Sequence, residues 1–426
     1  MEKEIKSKKK KNSGITLIAL VITIIVLIIL AGVSINLVLG NNGIITRARE
    51  AKNNYQKAAA EEETALKDLD KLIDETTGSS GGDTTKDITK YQTGETKPYL
   101  PDSNYSVKEG SVDTGLVIKD KAGNEYVWVE VPKTAAVYPT AGINLNTASL
   151  TTENYTAIEN DLKTYTSTYR NTARNTASYS DTYYAASHNA ADWFADENAY
   201  NTAKQKMLKS VYENGGFWVG RYEAGIEENR TAQGEVTITP LSQANKYPYT
   251  HVTRTQAHKL AKQVAGASSA YTSDLMFGVQ WDLMLKFIET KLVATNSNIQ
   301  SNLNTDSTNI GNYNNGAYNI TNTSAKYSTN DGSSWSQISS TYSKPSNSEV
   351  LLTTGASNKF SLCNISDLAG NVWEWTLEYT SITVDPCAGR GGDYYNDGSV
   401  SPASYRSSDD TAYSSNHNGF RFTLYR

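Results

Sequence analysis

The hydrophobic pattern separates one long apolar run near the N-terminus from many short alternating segments further along. Residues 15–40, ITLIALVITIIVLIILAGVSINLVLG, contain no charged residue and follow the basic stretch MEKEIKSKKKKNSG. At about 1.5 Å per residue, a helix of this length exceeds a hydrocarbon core of about 30 Å. The preceding lysines predict that the C-terminal bulk of the chain lies outside the cytoplasm. A cleaved secretory signal fits less well, because the run is too long and lacks a small-x-small site.

The segment after this run has a helical composition and ends in a linker. Residues 44–75 are rich in Ala, Glu, Lys and Leu, with an incomplete apolar stripe that predicts a stalk helix. The sequence TTGSSGGDTTKD at 76–87 predicts a flexible linker. We therefore expect a leader at 1–14, a transmembrane and stalk helix at 15–75, a linker, and an outer domain at 88–426.

The outer domain alternates between strand and helix patterns. The segment GNEYVWVEVPK predicts a strand in a half-buried sheet, and GGFWVGRYEAG predicts a second aromatic strand. A helix is predicted with Ala257, Leu260, Ala261 and Val264 on one face and Gly266 as its end, and another begins near Trp281. The polar stretches near 140–205 and 295–348 are predicted to be surface insertions in loop conformation.

Charge and composition argue against some classes of function. The net charge is −5 and the basic residues form no stripe, which argues against a nucleic-acid partner. The chain has 28 tyrosines and 7 phenylalanines, a balance that favours wet surfaces over dry cores. The spacing of Cys363 and Cys387 is not that of a metal site, and it leaves two buried thiols or one disulfide open.

The junction SG followed by ITLIALVITIIVLIILAGVSI resembles the N-terminus of type IV pilins and pseudopilins. The resemblance implies that a prepilin peptidase cuts after Gly14, that Ile15 becomes a methylated N-terminus, and that the helix packs in a filament. The family usually has a glutamate five residues after the cut, where this chain has Ala19. That departure weakens the expectation of filament assembly but leaves membrane insertion unaffected. An uncleaved anchor is the alternative.

The order of motifs in the outer domain resembles the formylglycine-generating-enzyme and sulfatase-modifying-factor family, a branch of the C-type-lectin fold. Residues 128–130, 221–223, 370–375, 390–392 and 419–421 match its W-V-E, R-Y-E, G-N-V-W-E-W, R-G-G and G-F-R motifs. Residues 280–282 match its helix-start motif in degraded form. The fold class expected is α+β: a C-type-lectin-like, sulfatase-modifying-factor domain on a pilin-like helix.

The enzyme activity of that family is not expected here. By resemblance, it requires two thiols between the R-G-G and G-F-R strands that hold copper, a soft metal that favours thiolate ligands. Near the matching Arg406 this chain has Gly398, Pro402, Ala403 and Ser404, and both cysteines precede R-G-G. His251 and His258 are expected to be surface or satisfied core histidines. We therefore predict a non-catalytic domain.

The segment between the last two motifs has the composition of a binding surface. Residues 393–418, DYYNDGSVSPASYRSSDDTAYSSNHN, combine tyrosine with Ser, Asn, Asp and Gly, as antibody paratopes do. A plain solvent loop would also use the small polar residues, but would not need four tyrosines. Changes of Tyr394, Tyr395, Tyr405 or Tyr413 are expected to spare stability, whereas Phe420→Ala should unfold the domain.

This arrangement resembles the variable proteins of diversity-generating retroelements, which carry a diversified segment at this place in the same fold. The resemblance implies a set of diversified, ligand-binding positions: Asp393, Tyr394, Tyr395, Asn396, Asp397, Tyr405, Ser407, Ser408, Asp409, Asp410, Tyr413, Asn416, His417 and Asn418. In the sulfatase-modifying-factor family the G-N-V-W-E-W turn binds calcium, which favours oxygen ligands. Carried over, the ligands would be Asn371, the Val372 carbonyl and Glu374, with a structural turn as the alternative.

The sequence as a whole predicts a ligand-binding protein displayed on the surface or a pilus of a bacterium. The expected partners are an extracellular protein or glycan on another cell or phage, the membrane through the N-terminal helix, and other pilus subunits. The alternatives are a formylglycine-generating-type oxidase, an invariant lectin-like adhesin and an invariant minor pilin.

Overall fold

The computed structural model describes residues 87–170, 178–184, 193–268 and 270–426. The chain divides into two compact units, 1–83 and 84–426, and the described residues belong to the second. The predicted leader, cleavage site, anchor, stalk and most of the linker therefore lie outside the described residues. Within the described ranges, no helix combines the length and apolarity that a bilayer crossing requires.

The described residues form a mixed α/β domain whose helices lie mostly in its first two thirds. The α-helices, in chain order, are α1 Thr152–Tyr165, α2 Ser167–Arg170, α3 Glu197–Asn214, α4 Arg254–Gln263, α5 Gly278–Leu292 and α6 Ile299–Asn304. Two short 3-10 helices span Ile88–Tyr91 and Asn358–Phe360.

The strands are short and distributed along the whole domain. Those before residue 300 are β1 Tyr105–Glu109, β2 Val117–Asp120, β3 Glu125–Glu130, β4 Tyr179–Ser180, β5 Gly216–Gly220, β6 Gly225–Ile226, β7 Tyr247–Pro248 and β8 Thr272–Leu275. Those after it are β9 Tyr318–Ile320, β10 Lys326–Ser328, β11 Ser336–Gln337, β12 Tyr342–Lys344, β13 Leu351–Leu352, β14 Ser361–Leu362, β15 Ile365–Ser366, β16 Trp373–Thr380, β17 Cys387–Arg390, β18 Arg406–Asp409, β19 Asn418–Phe420 and β20 Phe422–Tyr425.

A six-stranded sheet of order β1-β2-β3-β5-β20-β8 contains the first aromatic motifs and the C-terminal strand. The prediction that β3 lies in a half-buried sheet is wrong. Tyr126, Val127, Trp128 and Val129 are all fully buried, so both faces of this strand are covered. Trp128 packs against Trp218 at a centroid distance of 5.0 Å. A central strand buries both faces when other elements pack on each side.

A second sheet contains the motifs nearest the C-terminus. Its strands follow the order β18-β17-β16-β19, and β4 also pairs with β16. The pairing of β16 with β19 is parallel, with Trp375 opposite Phe420. The chain passes directly from β19 into β20 of the first sheet, so the two sheets are joined at the G-F-R motif.

The two predicted helices after residue 250 are confirmed. Helix α4 buries Ala257, Leu260 and Ala261, and the chain after it reaches Gly266 with a left-handed φ of 57°. Such a conformation favours glycine, which has no Cβ to collide with the backbone. Helix α5 buries Trp281 together with most of its other side chains.

The prediction of loop structure for the two polar insertions is wrong. The first contains α1, α2 and the first half of α3; α1 buries Ile158 and Leu162, and the first half of α3 buries Tyr200. Much of its packing comes from tyrosines, whose hydroxyls bond within the protein: Tyr200 donates to the Leu377 carbonyl at 3.2 Å. The abundance of tyrosine therefore reflects core packing as well as surface, contrary to the expectation from composition.

The second insertion forms its own small core. Helix α6 and strands β9 to β12 lie within it, and Tyr318, Ile320 and Ile338 pack against Val350 and Phe360. Lys344 Nζ donates to the carbonyls of Tyr313, Asn314 and Gly316 at 2.7–2.9 Å. Burial lowers the pKa of Lys344 to about 8. These bonds fix the insertion against the segment that precedes β9.

Candidate ligand-binding site

A buried ion network holds the two strands that bracket residues 391–405. Arg390, at the end of β17, donates to Asp282 at 2.6 Å and to Glu378 at 3.3 Å. Arg406, at the start of β18, donates to the same two carboxylates at 2.7–3.1 Å. All four side chains are fully buried. Removing one partner from such a network would leave an uncompensated charge, so the network strongly constrains the position of both strands.

Asp282 lies in the first turns of α5, at the degraded helix-start motif. The adjacent Trp281 donates its indole N–H to the Ala403 carbonyl at 3.0 Å, so the helix contacts residues 391–405 as well as the two strands that bracket them. The N-terminus of α5 is capped from the first insertion, because Gly278 and Val279 donate their N–H groups to Asp181 at 2.6 and 3.0 Å. Sequence reasoning located the motif but assigned no role to Asp282.

The R-G-G motif makes the turn that leads into the loop. Gly391 and Gly392 have φ values of 95° and 81°, in the region that glycine adopts without strain. A Cβ at Gly392 would collide with the Ser401 carbonyl oxygen. The Tyr313 hydroxyl donates to the Gly391 carbonyl at 2.7 Å. The turn is thus fixed by backbone conformation and by a tyrosine from outside the segment.

The G-F-R motif anchors the other end of the segment. Phe420 is fully buried and packs against Tyr249 at a centroid distance of 5.7 Å. Arg421 donates to both Glu374 oxygens at 2.7 and 2.9 Å, and to the carbonyls of Gly220 and Ser366 at 2.8 Å. The arginine therefore joins both sheets at one point.

Between these anchors the segment surrounds an open cavity of about 680 Å³. Ten of the fourteen predicted positions line it: Asp393, Tyr395, Asn396, Tyr405, Ser407, Ser408, Asp409, Tyr413, His417 and Asn418. The other four, Tyr394, Asp397, Asp410 and Asn416, lie outside the lining. The remaining wall is formed by residues that sequence reasoning did not assign to the site: Tyr179, Trp373, Asp385 and Arg406. Tyr179 comes from the first insertion, and no local pattern indicates that it reaches this place.

The four tyrosines of the segment divide into two classes. Tyr395 and Tyr413 are exposed, with relative accessibilities of 54% and 38%. Tyr394 and Tyr405 are buried, at 1% and 7%. The expectation that all four can be changed without loss of stability is therefore wrong for Tyr394 and Tyr405.

Tyr394 connects the segment to the second insertion. Its hydroxyl donates to Asp331 Oδ1 at 2.8 Å and accepts from Asn416 Nδ2 at 2.6 Å. Its ring stacks on His417 at a centroid distance of 5.0 Å. His417 Nδ1 in turn lies 2.9 Å from Asp393 Oδ2. These contacts fix two residues of the cavity wall, His417 and Asp393, in position.

Acidic groups dominate the electrostatics of the cavity. Burial, together with the neighbouring carboxylates of Asp385, Asp410 and Asp393, raises the pKa of Asp409 to about 7, against a lowering contribution from the Ser407 hydroxyl. Arg406, the arginine of the lining, is already paired with Asp282 and Glu378.

Two of the three residues predicted to bind calcium, Asn371 and Glu374, are engaged with protein groups. Asn371 Oδ1 accepts from Asn312 Nδ2 at 2.8 Å and from the Leu352 N–H at 3.0 Å. Asn371 Nδ2 donates to Glu223, and both Glu374 oxygens face Arg421. A guanidinium at this carboxylate disfavours a second cation, so this arrangement does not fit calcium. The calcium assignment stays a prediction without support from the geometry.

Among the described residues, His251, His258 and both cysteines lie outside the segment. His258 is buried with Nδ1 2.7 Å from Asp274, as expected of a satisfied core histidine, and His251 is partly exposed. Cys363 and Cys387 are free and buried, which decides between the two alternatives left by the sequence. Burial raises the pKa of both thiols, that of Cys363 to about 12. Neither cysteine lines the cavity.

Comparisons with known proteins agree with the motif order. Residues 192–424 match the family described as the sulfatase-modifying factor enzyme 1-like domain. The chain is similar to the solved structure of CarF (13% identity, TM-score 0.31), over 50% of this chain and 87% of CarF. It is also similar to Treponema denticola variable protein 1 (10% identity, TM-score 0.27), over 50% of this chain and 85% of that protein. No curated protein matches the sequence.

The matched residues make up more than half of the 426-residue chain, and they include the G-N-V-W-E-W, R-G-G and G-F-R motifs that form the frame of the cavity. The chain therefore belongs to the sulfatase-modifying factor enzyme 1-like domain family, with a mixed α/β, C-type-lectin-like fold.

Proposed function

We propose that this protein binds an extracellular ligand through residues 393–418 and does so without catalysis. The main support is the cavity of about 680 Å³, whose walls come mainly from this segment, while three of the four residues of the buried network, Arg390, Asp282 and Glu378, lie outside it. A site built on a rigid frame can present large side chains without ordering them at the moment of binding. Tyr395 and Tyr413 supply exposed aromatic area of the kind that dominates binding energies.

A peptide selection tests this function even though the natural ligand is unidentified. A random peptide library is panned on the purified full-length chain, and the enriched peptides are titrated against variants. Tyr395→Ala and Tyr413→Ala should each weaken binding about 30-fold or more, the loss typical of an aromatic hot spot of about 2 kcal/mol. Ile238→Ala is the matched control, because Ile238 is 53% exposed, similar to Tyr395, and lies outside the cavity lining. Enriched peptides that bind the tyrosine variants as tightly as the wild type would refute the proposal.

The family name favours an alternative, an oxidase that uses copper and two thiols. Support for the non-catalytic proposal comes from the cavity lining, which contains tyrosines, aspartates and serines but no cysteine. The purified chain is therefore expected neither to bind copper(I) tightly nor to convert a cysteine in a substrate peptide. Copper-dependent turnover of that peptide would restore the enzyme interpretation.

Two further features concern how the segment acquires its sequence and where the protein is displayed. We propose that the segment is diversified by a retroelement and displayed on the bacterial surface through a pilin-like helix. The diversification hypothesis is supported by the ten predicted positions that share one cavity, since changes at such positions alter a ligand site rather than a core. Flanking DNA should then contain a reverse-transcriptase gene and a near copy of the 3′ coding end. Identical segments across many isolates, with no such gene, would favour an invariant adhesin.

A further inference from the structure

The cavity carries uncompensated negative charge. The carboxylates of Asp385, Asp393 and Asp409 line it, and Asp410 follows directly in sequence. The arginine of the lining already has anionic partners. Arg406 is fully buried between the Asp282 and Glu378 carboxylates, and Asp393 is hydrogen-bonded to the His417 imidazole, so Asp385 and Asp409 are the lining carboxylates without a basic partner among the residues of the lining. A ligand that brings a positive charge would therefore complement this wall.

The aromatic part of the wall suits the same ligand. Trp373 and Tyr405 lie with ring centroids 5.8 Å apart, and Tyr395 and Tyr413 add exposed rings. The faces of such rings attract cations, and a guanidinium stacks on them better than an ammonium. The protein already shows this geometry beside the cavity, where the Arg406 guanidinium lies 5.8 Å from the Tyr179 ring centroid.

A residue of the lining, Asn418, also carries an unpartnered donor. Asn418 is 1% exposed, and its Nδ2 has no hydrogen-bond partner among the described residues. Its Oδ1 is satisfied by the Ser415 hydroxyl at 2.9 Å. A buried amide N–H without a partner costs about 1–3 kcal/mol, so a ligand that supplies an acceptor relieves this cost. A ligand that carries a cation and a nearby neutral hydrogen-bond acceptor would therefore complement the cavity wall.

We propose that the cavity binds an arginine residue of a partner protein, with the guanidinium between the aspartates and the rings and a neighbouring peptide carbonyl accepting from Asn418. This inference rests on the proposed ligand-binding function and names the chemistry of its ligand. Arginine fits better than lysine because its planar guanidinium both pairs with carboxylates and stacks on rings. A neutral glycan would satisfy Asn418 but would leave the carboxylates uncompensated.

The test uses the peptides enriched in the panning on the full-length chain. Each is resynthesised with citrulline in place of arginine, which keeps the size and planarity of the side chain but removes its charge. We expect arginine in the enriched sequences, at least tenfold weaker binding of the citrulline peptides, and at least tenfold weaker binding to Asp409→Asn. Glu228→Gln is the control, because Glu228 is an exposed carboxylate outside the lining. A similar loss in that variant would indicate non-specific attraction to an acidic protein and would overturn the inference.

The outcomes separate this inference from the proposed function. Enriched peptides without basic residues that still lose affinity for Tyr395→Ala would overturn the arginine assignment and leave the binding site intact. Peptides that bind Tyr395→Ala and Tyr413→Ala as tightly as the wild type would overturn both. Asn418→Ala adds a second readout, because an arginine peptide should bind this variant more weakly while its melting temperature stays within a few degrees of the wild type.

Discussion

Tyr394 and Tyr395 are neighbours in sequence with opposite environments. Truncating each one in turn therefore distinguishes a residue that stabilises the fold from a residue proposed to contact the ligand. Tyr394 is 1% exposed and contacts Asp331, Asn416 and His417. Tyr395 is 54% exposed and makes an edge contact with the same imidazole at 5.4 Å. Tyr394→Ala should therefore destabilise the protein, and Tyr395→Ala should instead affect binding.

The size of the effect follows from burial. Truncating a buried aromatic side chain to alanine costs about 3–5 kcal/mol. The apolar cluster around Tyr394 is small, consisting of Leu351, Val372 and the partly buried Trp335, so we expect about 3 kcal/mol. For a unit of about 340 residues the unfolding entropy is about 0.7 kcal/mol per kelvin, which converts this loss into a melting temperature lower by about 4 °C. For Tyr395→Ala the change should be less than about 0.5 kcal/mol, or under about 1 °C.

Calorimetric unfolding of the full-length chain measures both values, and titration of a selected peptide measures binding. Tyr394→Phe isolates the hydroxyl, whose two hydrogen bonds should account for about 1–2 kcal/mol of the loss. Phe420→Ala serves as the reference for a core position, because Phe420 is fully buried. Equal destabilisation by Tyr394→Ala and Tyr395→Ala would refute the division into frame and surface. An unchanged melting temperature for Tyr394→Ala would refute its role in the frame.

Three further predictions concern the network, the buried carboxyls and the N-terminus. Asp282→Asn should cost about 3–5 kcal/mol in urea unfolding, because Arg390 and Arg406 lose a shared carboxylate; a cost under about 1 kcal/mol would contradict this. Burial raises the pKa of Asp367 to about 7, so the folded state keeps a proton that the unfolded chain loses near pH 4. Stability should therefore fall as the pH rises from about 4 to 7, and Asp367→Asn should flatten that slope. N-terminal sequencing should begin at methylated Ile15, whereas an intact N-terminus in cells with the peptidase would exclude cleavage after Gly14.

The C-terminal motifs could be located from the sequence because each combines residues that the fold needs at fixed points. The arginines of R-G-G and G-F-R meet buried carboxylates, and the glycines occupy left-handed turns. Such requirements restrict the residue type at single positions. The motifs can therefore be recognised in the sequence without knowledge of the tertiary contacts. The composition of the segment between them predicts a binding surface, and that role stays a prediction.

The helices and strands of the insertions could not be predicted, because their buried apolar residues and tyrosines are scattered among many Ser, Thr and Asn residues. Helix α3 has the sequence ENAYNTAKQKMLKSVYEN, in which the buried Tyr200 and Tyr212 weaken the apolar periodicity. The contributions of Tyr179 to the cavity and of Asp331 to Tyr394 depend on contacts between residues far apart in sequence. Sequence composition cannot reveal such contacts, which is also why the burial of Tyr394 and Tyr405 was missed.

The separation between frame and surface explains how one fold could present different binding surfaces. The side chains that fix the loop, Arg390, Arg406 and Arg421, bond to carboxylates and carbonyls outside residues 393–418, apart from one bond of Arg390 to the Ser404 carbonyl. An exchange at Tyr395 or Tyr413 therefore breaks none of these bonds and leaves no buried charge unpaired. The burial of Tyr394 and Tyr405 sets a limit on this freedom, because both pack against neighbouring side chains and Tyr405 also lines the cavity. Variation in the segment should accordingly be broad at the exposed positions and confined to large aromatic residues at the two buried ones.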